Sequence, residues 1–121
     1  MTSLDFEVST SKSASIALTI ASETDIPYEI VIGANGNTIT KIRRRNVVML
    51  EKTMSSDNRL SGPLVYDRFW LTVVSGNFSL GRYGNAEPFF NWLDPTPLEF
   101  RSIGLMTWLG ATGRWKFHSF C

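Results

Sequence analysis

Polar and apolar residues alternate along most of the chain with a period of two, which is typical of β-strands that bury one face. Phe6 and Val8, for example, flank Glu7. Gly, Asn, Pro and Ser interrupt the pattern about every eight to twelve residues, as in a β-sandwich or barrel. Strands are predicted in the segments 6–8, 16–20, 28–32, 38–44, 47–50, 69–74, 78–80, 103–108 and 114–120.

The turn signals favour antiparallel pairing. Asn35-Gly36 stands between two β-rich segments, and both residues tolerate the positive φ that a tight hairpin requires. Residues 55–60 predict at most a helical turn or a loop. Segments 53–63 and 82–97 are predicted to be long irregular loops, and the prolines of the second exclude a central strand. We therefore predict one domain over residues 1–121, an antiparallel β-sandwich of about eight to ten strands, jelly-roll or lectin-like.

Composition narrows the class of protein. Hydrophobic residues make up 43% of the 121 residues, which is enough for a self-sufficient core. Twelve Lys and Arg against eleven Asp and Glu leave a net charge of +1, which provides too weak a field for non-specific nucleic-acid binding. No apolar run approaches the length of a membrane span, so we expect no membrane insertion. Residues 1–5 show no signal peptide, so we expect a cytoplasmic protein, or a secreted one if the chain is a processed form.

Candidate catalytic and metal-binding residues are few. The chain has one histidine, His118, and one cysteine, Cys121, which excludes an intramolecular disulfide and any site of several histidines or cysteines. Three residues apart on a strand, their side chains point to opposite faces, so we expect no catalytic pair. Glu87, Asp94 and Glu99 are candidates for the paired carboxylates of a hydrolase, and Glu87 and Asp94 are candidate calcium ligands. The simpler interpretation is that these residues only shape the loop, since Asp94 precedes a proline in a dipeptide that typically begins a turn.

Two further motifs carry weaker signals. Residues 33–36, Gly-Ala-Asn-Gly, superficially resemble a phosphate-binding loop, but such a loop opens a helix and here a strand is predicted next. Arg43, Arg44 and Arg45 form the basic cluster of the chain, and two of the three share a face if the segment is a strand. We interpret the cluster as a solvated sheet edge protected against aggregation, with contact to an anion or an acidic glycan as the alternative.

The clearest binding chemistry lies in residues 108–115, Trp-Leu-Gly-Ala-Thr-Gly-Arg-Trp, where two tryptophans flank a turn of small residues. Small residues let a ligand approach the backbone. A Trp face packs against the apolar face of a sugar ring, while Asn, Arg, Glu and Asp side chains bond to the sugar hydroxyls. Packing of each tryptophan in the core is the alternative.

Taken together, the motifs resemble the farnesoic acid O-methyltransferase-like domain. The resemblance covers residues 6–117 approximately, and it rests on the motifs at 28–33, 36–38, 42–43, 69–70, 80–82, 87–89, 92–97, 104 and 108–115. The first turn departs from the family pattern, because Gly-Ala-Asn-Gly-Asn at 33–37 stands where the family usually has Gly-Gly-Trp-Gly-Asn. The family name implies methyl transfer to a terpenoid acid, whereas similarity to lectin-like members implies an all-β module that binds sugars.

The residues favour the second implication. S-adenosylmethionine is usually held beside a parallel sheet by a glycine-rich turn that opens a helix, and the sequence shows neither pattern. We therefore predict a carbohydrate-binding module without catalytic activity, with calcium as the only candidate cofactor. The alternatives are a protein-interaction module and a terpenoid-acid methyltransferase. Three loops supply the predicted ligand-binding residues, which are Asn35, Asn37, Arg82, Glu87, Asp94, Trp108 and Arg114.

The C-terminal segment 115–120 alternates large apolar with polar residues up to the last positions, although chain ends usually fray. Phe117 points away from Lys116 and His118, so its ring must be covered by the domain's own sheet or by a partner chain. Because weak lectin sites gain strength from multivalency, and two-fold dimers are the commonest assembly, we predict a homodimer that binds a glycan. If Phe117 is buried against a partner chain, Cys121 would lie close to its symmetry mate. An intermolecular disulfide could then form in an oxidising compartment.

Overall fold

The computed structural model describes residues 2–10, 12–20, 26–107 and 113–120. Two short helical segments occur among them, a four-residue helical turn α1 (Ala34–Asn37) and a 3-10 turn (Ser56–Asn58). No helix in the described part of the chain is long and apolar enough to cross a membrane. The strands are β1 (Thr2–Thr10), β2 (Ala14–Thr19), β3 (Tyr28–Gly33), β4 (Ile39–Arg44), β5 (Val47–Thr53), β6 (Asp67–Val74), β7 (Asn77–Arg82), β8 (Phe90–Leu93), β9 (Ser102–Thr107) and β10 (Gly113–Phe120).

The strands form two five-stranded sheets. The front sheet has the order β10-β1-β6-β7-β8, and the back sheet has the order β5-β4-β3-β2-β9. Each strand pair recorded in the described residues is antiparallel. The predicted antiparallel β-sandwich is therefore confirmed. The turn at Asn35-Gly36 joins the antiparallel strands β3 and β4, with φ of 51° and 69° at the two residues, as the hairpin signal predicts.

The core lies between the two sheets and is built by alternate residues of the strands. In β6, Phe69 and Leu71 are buried, whereas Trp70 between them faces outward. Tyr28 of the back sheet meets Phe78 of the front sheet, with ring centroids 4.7 Å apart. Burial of each large apolar side chain contributes about 1.5–3 kcal/mol to the free energy of folding. The largest fully buried side chains are Tyr28, Phe6, Phe69, Phe78, Phe90, Leu4, Ile16, Leu18, Ile30, Ile32, Ile42 and Leu71.

One end of the sandwich, which we call the loop end, collects the ends of β3, β5, β7 and β9 and the starts of the strands that follow them. Hydrogen bonds tie its connections together, from Asn37 to Leu60 and from Arg82 to Arg59. The connection 54–66 passes here from the back sheet to the front sheet. We call the opposite end of the sandwich the far end.

Strand β8 lies inside segment 82–97, for which the sequence predicts a long irregular loop. It is a four-residue strand at the edge of the front sheet, and it ends before Pro95. The prolines exclude a central strand, as predicted, but a short edge strand needs fewer backbone donors and fits between them. Residues 55–60 contain only the 3-10 turn at 56–58, in agreement with the predicted turn or loop.

The interpretation of the arginine cluster as a sheet edge is wrong. Strand β5 covers that side of β4 and is itself the edge of the back sheet. Arg43 instead donates to Glu29 of the neighbouring strand at 2.6 Å, and Arg44 donates to Asp94 at 2.8 Å. The prediction of a sheet edge failed because the short apolar run after the arginine cluster pairs with β4 as a further strand of the same sheet.

Candidate functional site

The structure separates the predicted ligand-binding residues into two groups. Asp94 lies at the far end, because β8 carries the chain across the sandwich, and its N–H donates to the carbonyl of Gly76 at 2.8 Å. Trp108 lies outside the described residues. The remaining five lie at the loop end: Asn35, Asn37, Arg82, Glu87 and Arg114.

Asn37 fixes the connection 54–66 in place. Its side-chain N–H donates to the carbonyl of Leu60 at 2.7 Å, and its side-chain oxygen accepts from the Leu60 N–H at 2.9 Å. Asn37 has φ of 67°, in the left-handed region that Asn tolerates better than most residues. The protein itself therefore occupies both ends of this amide, whereas Asn35 is exposed at the tip of the turn.

Arg82 and Asp67 form an ion pair at the loop end, with Nη1 and Oδ1 2.8 Å apart and the Asp67 side chain 4% exposed. Asp67 also accepts from the backbone N–H and the hydroxyl of Ser61, both at 2.7 Å. Arg82 donates a further hydrogen bond to the carbonyl of Arg59 at 2.6 Å. Such additional hydrogen bonds repay the cost of burying charge. The pair therefore fixes the connection 54–66 against the front sheet.

A cavity of about 190 Å³ opens at the loop end between elements of the two sheets, and we call it the Phe89 cavity. Its walls come from β4, β5 and the turn after β5, and from Phe89, which precedes β8. Met54 and Phe89 supply apolar surface, and the other lining side chains carry hydroxyl, amide or ammonium groups. The lining residues are Thr40, Lys52, Thr53, Met54, Ser55, Asn58 and Phe89.

Thr40 is the unusual residue of the Phe89 cavity. It faces the core, beside its buried cross-strand partner Ile32, and is 1% exposed. Its hydroxyl nevertheless has no hydrogen-bond partner in the protein. Leaving a buried hydroxyl unpaired costs about 1–3 kcal/mol. The oxygen is itself shielded from solvent, so a molecule in the cavity can supply the missing hydrogen bond only if the Thr40 side chain rotates towards it.

The rim of the Phe89 cavity is polar and accessible. Lys52, Thr53 and Ser55 are exposed, and the half-buried Asn58 donates to the Ser55 hydroxyl at 3.0 Å. These groups can donate to and accept from a hydroxyl-rich molecule, while Phe89 can contact its C–H surface. The cavity therefore combines the two kinds of contact that a sugar ring requires.

A hydrogen-bond network around Asp94 closes the far end. One carboxylate oxygen of Asp94 accepts from the Tyr28 hydroxyl at 2.6 Å and from Arg44 at 2.8 Å. The other accepts from the Thr96 N–H at 2.9 Å, and the Tyr28 oxygen accepts from the Leu98 N–H at 2.7 Å. Because Asp94 follows β8 of the front sheet, whereas Tyr28 and Arg44 belong to the back sheet, the network ties the sheets together.

Burial and hydrogen bonding act in opposite directions on the pKa of Asp94. Burial would raise the pKa, but the hydrogen bonds from Tyr28, Arg44 and Thr96 outweigh burial and lower it below the ordinary value of 3.8. Burial, followed by the hydrogen bond to Asp94, raises the pKa of Tyr28 above 10.0. At neutral pH, Asp94 is therefore an ionised group that the fold uses internally.

The three candidate carboxylates are not brought together. Glu87 is exposed in the connection before β8, Asp94 lies in the far-end network, and Glu99 lines a second cavity, of about 470 Å³, at the far end. Within the described ranges, no group of three or more His, Cys, Asp or Glu side chains could hold a metal ion. Calcium binding by Glu87 and Asp94 remains a prediction from the sequence, and it requires Asp94 to leave its present partners.

Trp115 packs in the front sheet. It is half-buried, its ring centroid lies 5.8 Å from that of Phe6, and it stacks on Phe117 with an interplanar angle of 5°. These contacts favour the core alternative for Trp115, while Trp108 and the small residues of the turn lie outside the described residues.

His118 lies on β10, which ends the front sheet. Its Nε2 is 2.6 Å from the Glu7 carboxylate, across the β1–β10 pair. Cys121, the other member of the catalytic pair that the sequence argues against, lies outside the described residues.

The predicted site residues do not include those that line the Phe89 cavity. One signal was present, since the alternation that places Ile42 in the core also places Thr40, a polar residue, on the same face. Lys52, Ser55 and Asn58 gave no signal of their own, because the β4–β5 hairpin and the following turn bring them to the cavity.

Comparison with known proteins supports the resemblance. The model of the family described as farnesoic acid O-methyl transferase matches residues 1–120. No curated protein and no solved structure shows significant similarity to the chain. The matched range spans both sheets, and the resemblance predicted from the motifs is confirmed. The chain therefore belongs to the farnesoic acid O-methyltransferase family.

Proposed function

We propose that the chain is a carbohydrate-binding module without catalytic activity, and that the Phe89 cavity holds one sugar ring. The observation that carries the proposal is Thr40, whose buried hydroxyl has no partner and which lines a cavity of mostly polar side chains. A sugar hydroxyl both donates and accepts hydrogen bonds, so it can pair with Thr40 once that side chain rotates towards the cavity, while its neighbours pair with the rim. Phe89 and Met54 provide apolar contact for the C–H groups of the ring.

The size of the cavity favours a small ligand. Drug-sized ligands occupy about 300–1,000 Å³, whereas the Phe89 cavity offers about 190 Å³. A longer glycan would extend past the exposed rim at Lys52 and Ser55. We therefore expect recognition of a monosaccharide or of a terminal sugar residue, with modest affinity because few groups contact it.

Asp67, a buried carboxylate at the loop end, is held by the protein itself. Asp67 accepts hydrogen bonds from two groups of Ser61 and from Arg82. A general acid or base needs a carboxyl group within hydrogen-bond reach of the substrate, and these partners hold Asp67 away from that task. The described strands also lack the parallel-sheet crevice that usually holds S-adenosylmethionine.

Methyl transfer to a terpenoid acid is the enzymatic alternative that the family name suggests. Calorimetry with S-adenosylmethionine separates it from the proposal. Saturable binding of this cofactor to the full chain would argue for the methyltransferase, whereas no heat of binding is expected.

A protein-interaction function is the second candidate, and one surface favours it. Strand β5 is the edge of the back sheet, and Val47, Val48 and Met49 on it are 59%, 40% and 44% exposed. Exposed apolar edge strands can pair with strands of another chain. Binding at this edge would not respond to sugars, so the two candidates are experimentally distinct.

Titration of the ¹⁵N-labelled chain with a panel of neutral and acidic monosaccharides tests the proposed function. Amide shifts are expected at residues 40, 52–58 and 89. Thr40→Val keeps the shape of the side chain and removes the hydroxyl, so affinity should fall about two- to tenfold. Thr19→Val, the same substitution at the far end of the back sheet, is the matched control and should leave affinity unchanged. No shift with any monosaccharide, or equal binding by Thr40→Val, would contradict the proposal.

We also propose that the chain forms a two-fold dimer through β10. Among the described strands, β10 ends the front sheet and leaves one backbone edge without a neighbouring strand. Phe117 on this strand is 46% exposed although it touches the core residue Phe6. Pairing of two β10 strands would cover both the backbone edge and part of this ring, and it would present two sugar sites in one particle.

A further inference from the structure

The outer face of the front sheet carries an aromatic surface that belongs neither to the core nor to the Phe89 cavity. Trp70 faces outward from β6, and its cross-strand partner is Gly81 of β7. A Cβ at position 81 would lie 2.3 Å from Cζ2 of Trp70. The indole therefore lies against the glycine backbone, a position that any larger residue at 81 would block.

The polar edge of this indole is tied to the protein. Nε1 of Trp70 donates to the carbonyls of Arg82 at 3.1 Å and Asn85 at 2.9 Å. Trp70 is half-buried, and with its N–H engaged the ring offers mainly C–H and π surface to the solvent. A side chain fixed in this way loses little conformational entropy when a ligand packs on it.

Tyr83 and an ion pair extend the surface beside Trp70. Tyr83 is 60% exposed, and the guanidinium carbon of Arg68 lies 3.7 Å from its ring centroid. Arg68 also donates two hydrogen bonds to the carboxylate of Asp5, at 3.0 and 2.9 Å. The hydrogen bond from Arg68 lowers the pKa of Asp5, so both partners stay charged at neutral pH and neutralise each other. We call Trp70, Gly81, Tyr83, Arg68 and Asp5 the Trp70 patch.

A row of small polar side chains crosses the sheet next to the Trp70 patch. The register pairs Ser3 with Thr72, Thr72 with Ser79, and Ser79 with Asn91. Ser3, Thr72 and Ser79 stand two positions along their strands from Asp5, Trp70 and Gly81, which is a separation of about 7 Å. Asn91 donates to the Ser79 hydroxyl at 2.9 Å, so the row is ordered by internal hydrogen bonds. Asn91 also donates to Oδ1 of Asn77 at 2.9 Å and to the carbonyl of Phe78 at 3.0 Å, so it offers a ligand its amide oxygen, beside the hydroxyls of the row.

We propose that the Trp70 patch binds an extended, uncharged polysaccharide chain. Sugar rings would pack their C–H faces on Trp70 and Tyr83, and their hydroxyls would meet the polar row. The charge of the surface points to a neutral ligand, because Arg68 is matched by Asp5 and an anionic chain would have to compete for that arginine. The surface is an open sheet face, which suits several consecutive sugars. This second site is independent of the sugar proposed for the Phe89 cavity.

Calorimetry of the full chain with cellohexaose, xylohexaose and chitohexaose tests the proposal, with heparin as the anionic comparison. In parallel, the ¹⁵N indole resonance of Trp70, identified by its loss in Trp70→Phe, reports contact. At least one neutral hexasaccharide should bind and shift this resonance. Because Trp70→Ala removes contacts to the backbone, the diagnostic variants are Tyr83→Ala and Asn91→Ala, at exposed positions. Together they should weaken binding about tenfold.

Thr40→Val separates the two proposed sites, and it should leave unchanged the hexasaccharide affinity that is read from the Trp70 indole resonance. Absence of any hexasaccharide binding, binding that survives the Tyr83→Ala and Asn91→Ala pair, or preference for heparin would each overturn the proposal. Loss of hexasaccharide binding in Thr40→Val would show that the hexasaccharide binds in the Phe89 cavity. That result would overturn the Trp70 patch as a binding site, but not the proposed function. Hexasaccharide binding without monosaccharide binding would retain the patch and reject the cavity.

Discussion

Replacement of Thr40 by valine should stabilise the protein while it weakens sugar binding. The hydroxyl of Thr40 is buried without a partner, and the residue is 1% exposed. Valine replaces the hydroxyl by a methyl group of similar size, which removes an unpaired polar group at little cost in packing. We expect a gain of about 1–2 kcal/mol in the free energy of unfolding. For a chain of this length, that gain corresponds to an increase in Tm of about 4–8 °C.

Thr19→Val is the matched control, because the same chemical change there should have the opposite sign. Thr19 is 7% exposed, and its hydroxyl lies 2.7 Å from the hydroxyl of Ser102. Removal of that hydrogen bond should lower the free energy of unfolding by about 1 kcal/mol. Both variants are compared with the unsubstituted chain by urea unfolding followed through tryptophan fluorescence, with the slope m as a check that the denatured state is unchanged.

The sign of the Thr40→Val effect decides the argument. If the variant is destabilised as much as Thr19→Val, the Thr40 hydroxyl has a partner in solution, and the reasoning that makes it the anchor of a sugar site fails. If the variant is stabilised but binds monosaccharides as well as the unsubstituted chain, the hydroxyl is unpaired and yet plays no part in binding.

Other parts of the structure give further measurable outcomes. Because the pKa of Asp94 is lower in the folded state, its stabilising contribution is present above about pH 3.8 and is lost as the pH falls through the folded value. Asp94→Asn should lower the free energy of unfolding by about 2 kcal/mol at pH 7. Urea unfolding at several pH values should also show a weaker loss of stability in acid for this variant, and an unchanged pH dependence would contradict the network. Gly81→Ala should cost about 1–3 kcal/mol and alter the Trp70 emission, because a Cβ would collide with the indole; a neutral effect would show that the ring can move away. Light scattering should give twice the chain mass of 13.6 kDa, reduced to the monomer by Phe117→Ser, whereas a monomer of the unsubstituted chain would reject the dimer.

The sheets were predictable because the period-two alternation reports burial on one face, and residues such as Phe69 and Leu71 are buried as that pattern requires. Position in the sequence was a poorer guide to which loop residues meet. Arg82 and Asp94 belong to one predicted loop, yet β8 runs between them and carries Asp94 to the far end. A four-residue edge strand between prolines gives too weak a sequence signal for β8, and the change in chain direction that it makes, to be predicted.

Residue type was also a poor guide to role. Asn37 and Arg82 have the chemistry of ligand-binding residues, but here they bond to the backbone of Leu60 and to Asp67. The sequence cannot distinguish a polar side chain that faces a ligand from one that faces another loop, because the partner depends on tertiary contacts. Gly81 carried a readable signal, since a glycine inside a strand often marks a close approach, and here the approaching group is Trp70.

The proposed dimer and the Trp70 patch constrain each other. Antiparallel pairing of β10 with its symmetry mate joins two front sheets into one continuous sheet, and a two-fold axis perpendicular to that sheet keeps both outer faces on the same side. Both Trp70 patches would then face the same way, so one polysaccharide surface could engage the two at once. Phe117→Ser should therefore reduce retention on an insoluble neutral polysaccharide much more than it reduces affinity for a hexasaccharide, which occupies one patch. An equal loss in both assays would show that the substitution damages the patch itself, and no loss in either would show that dimerisation does not contribute to binding.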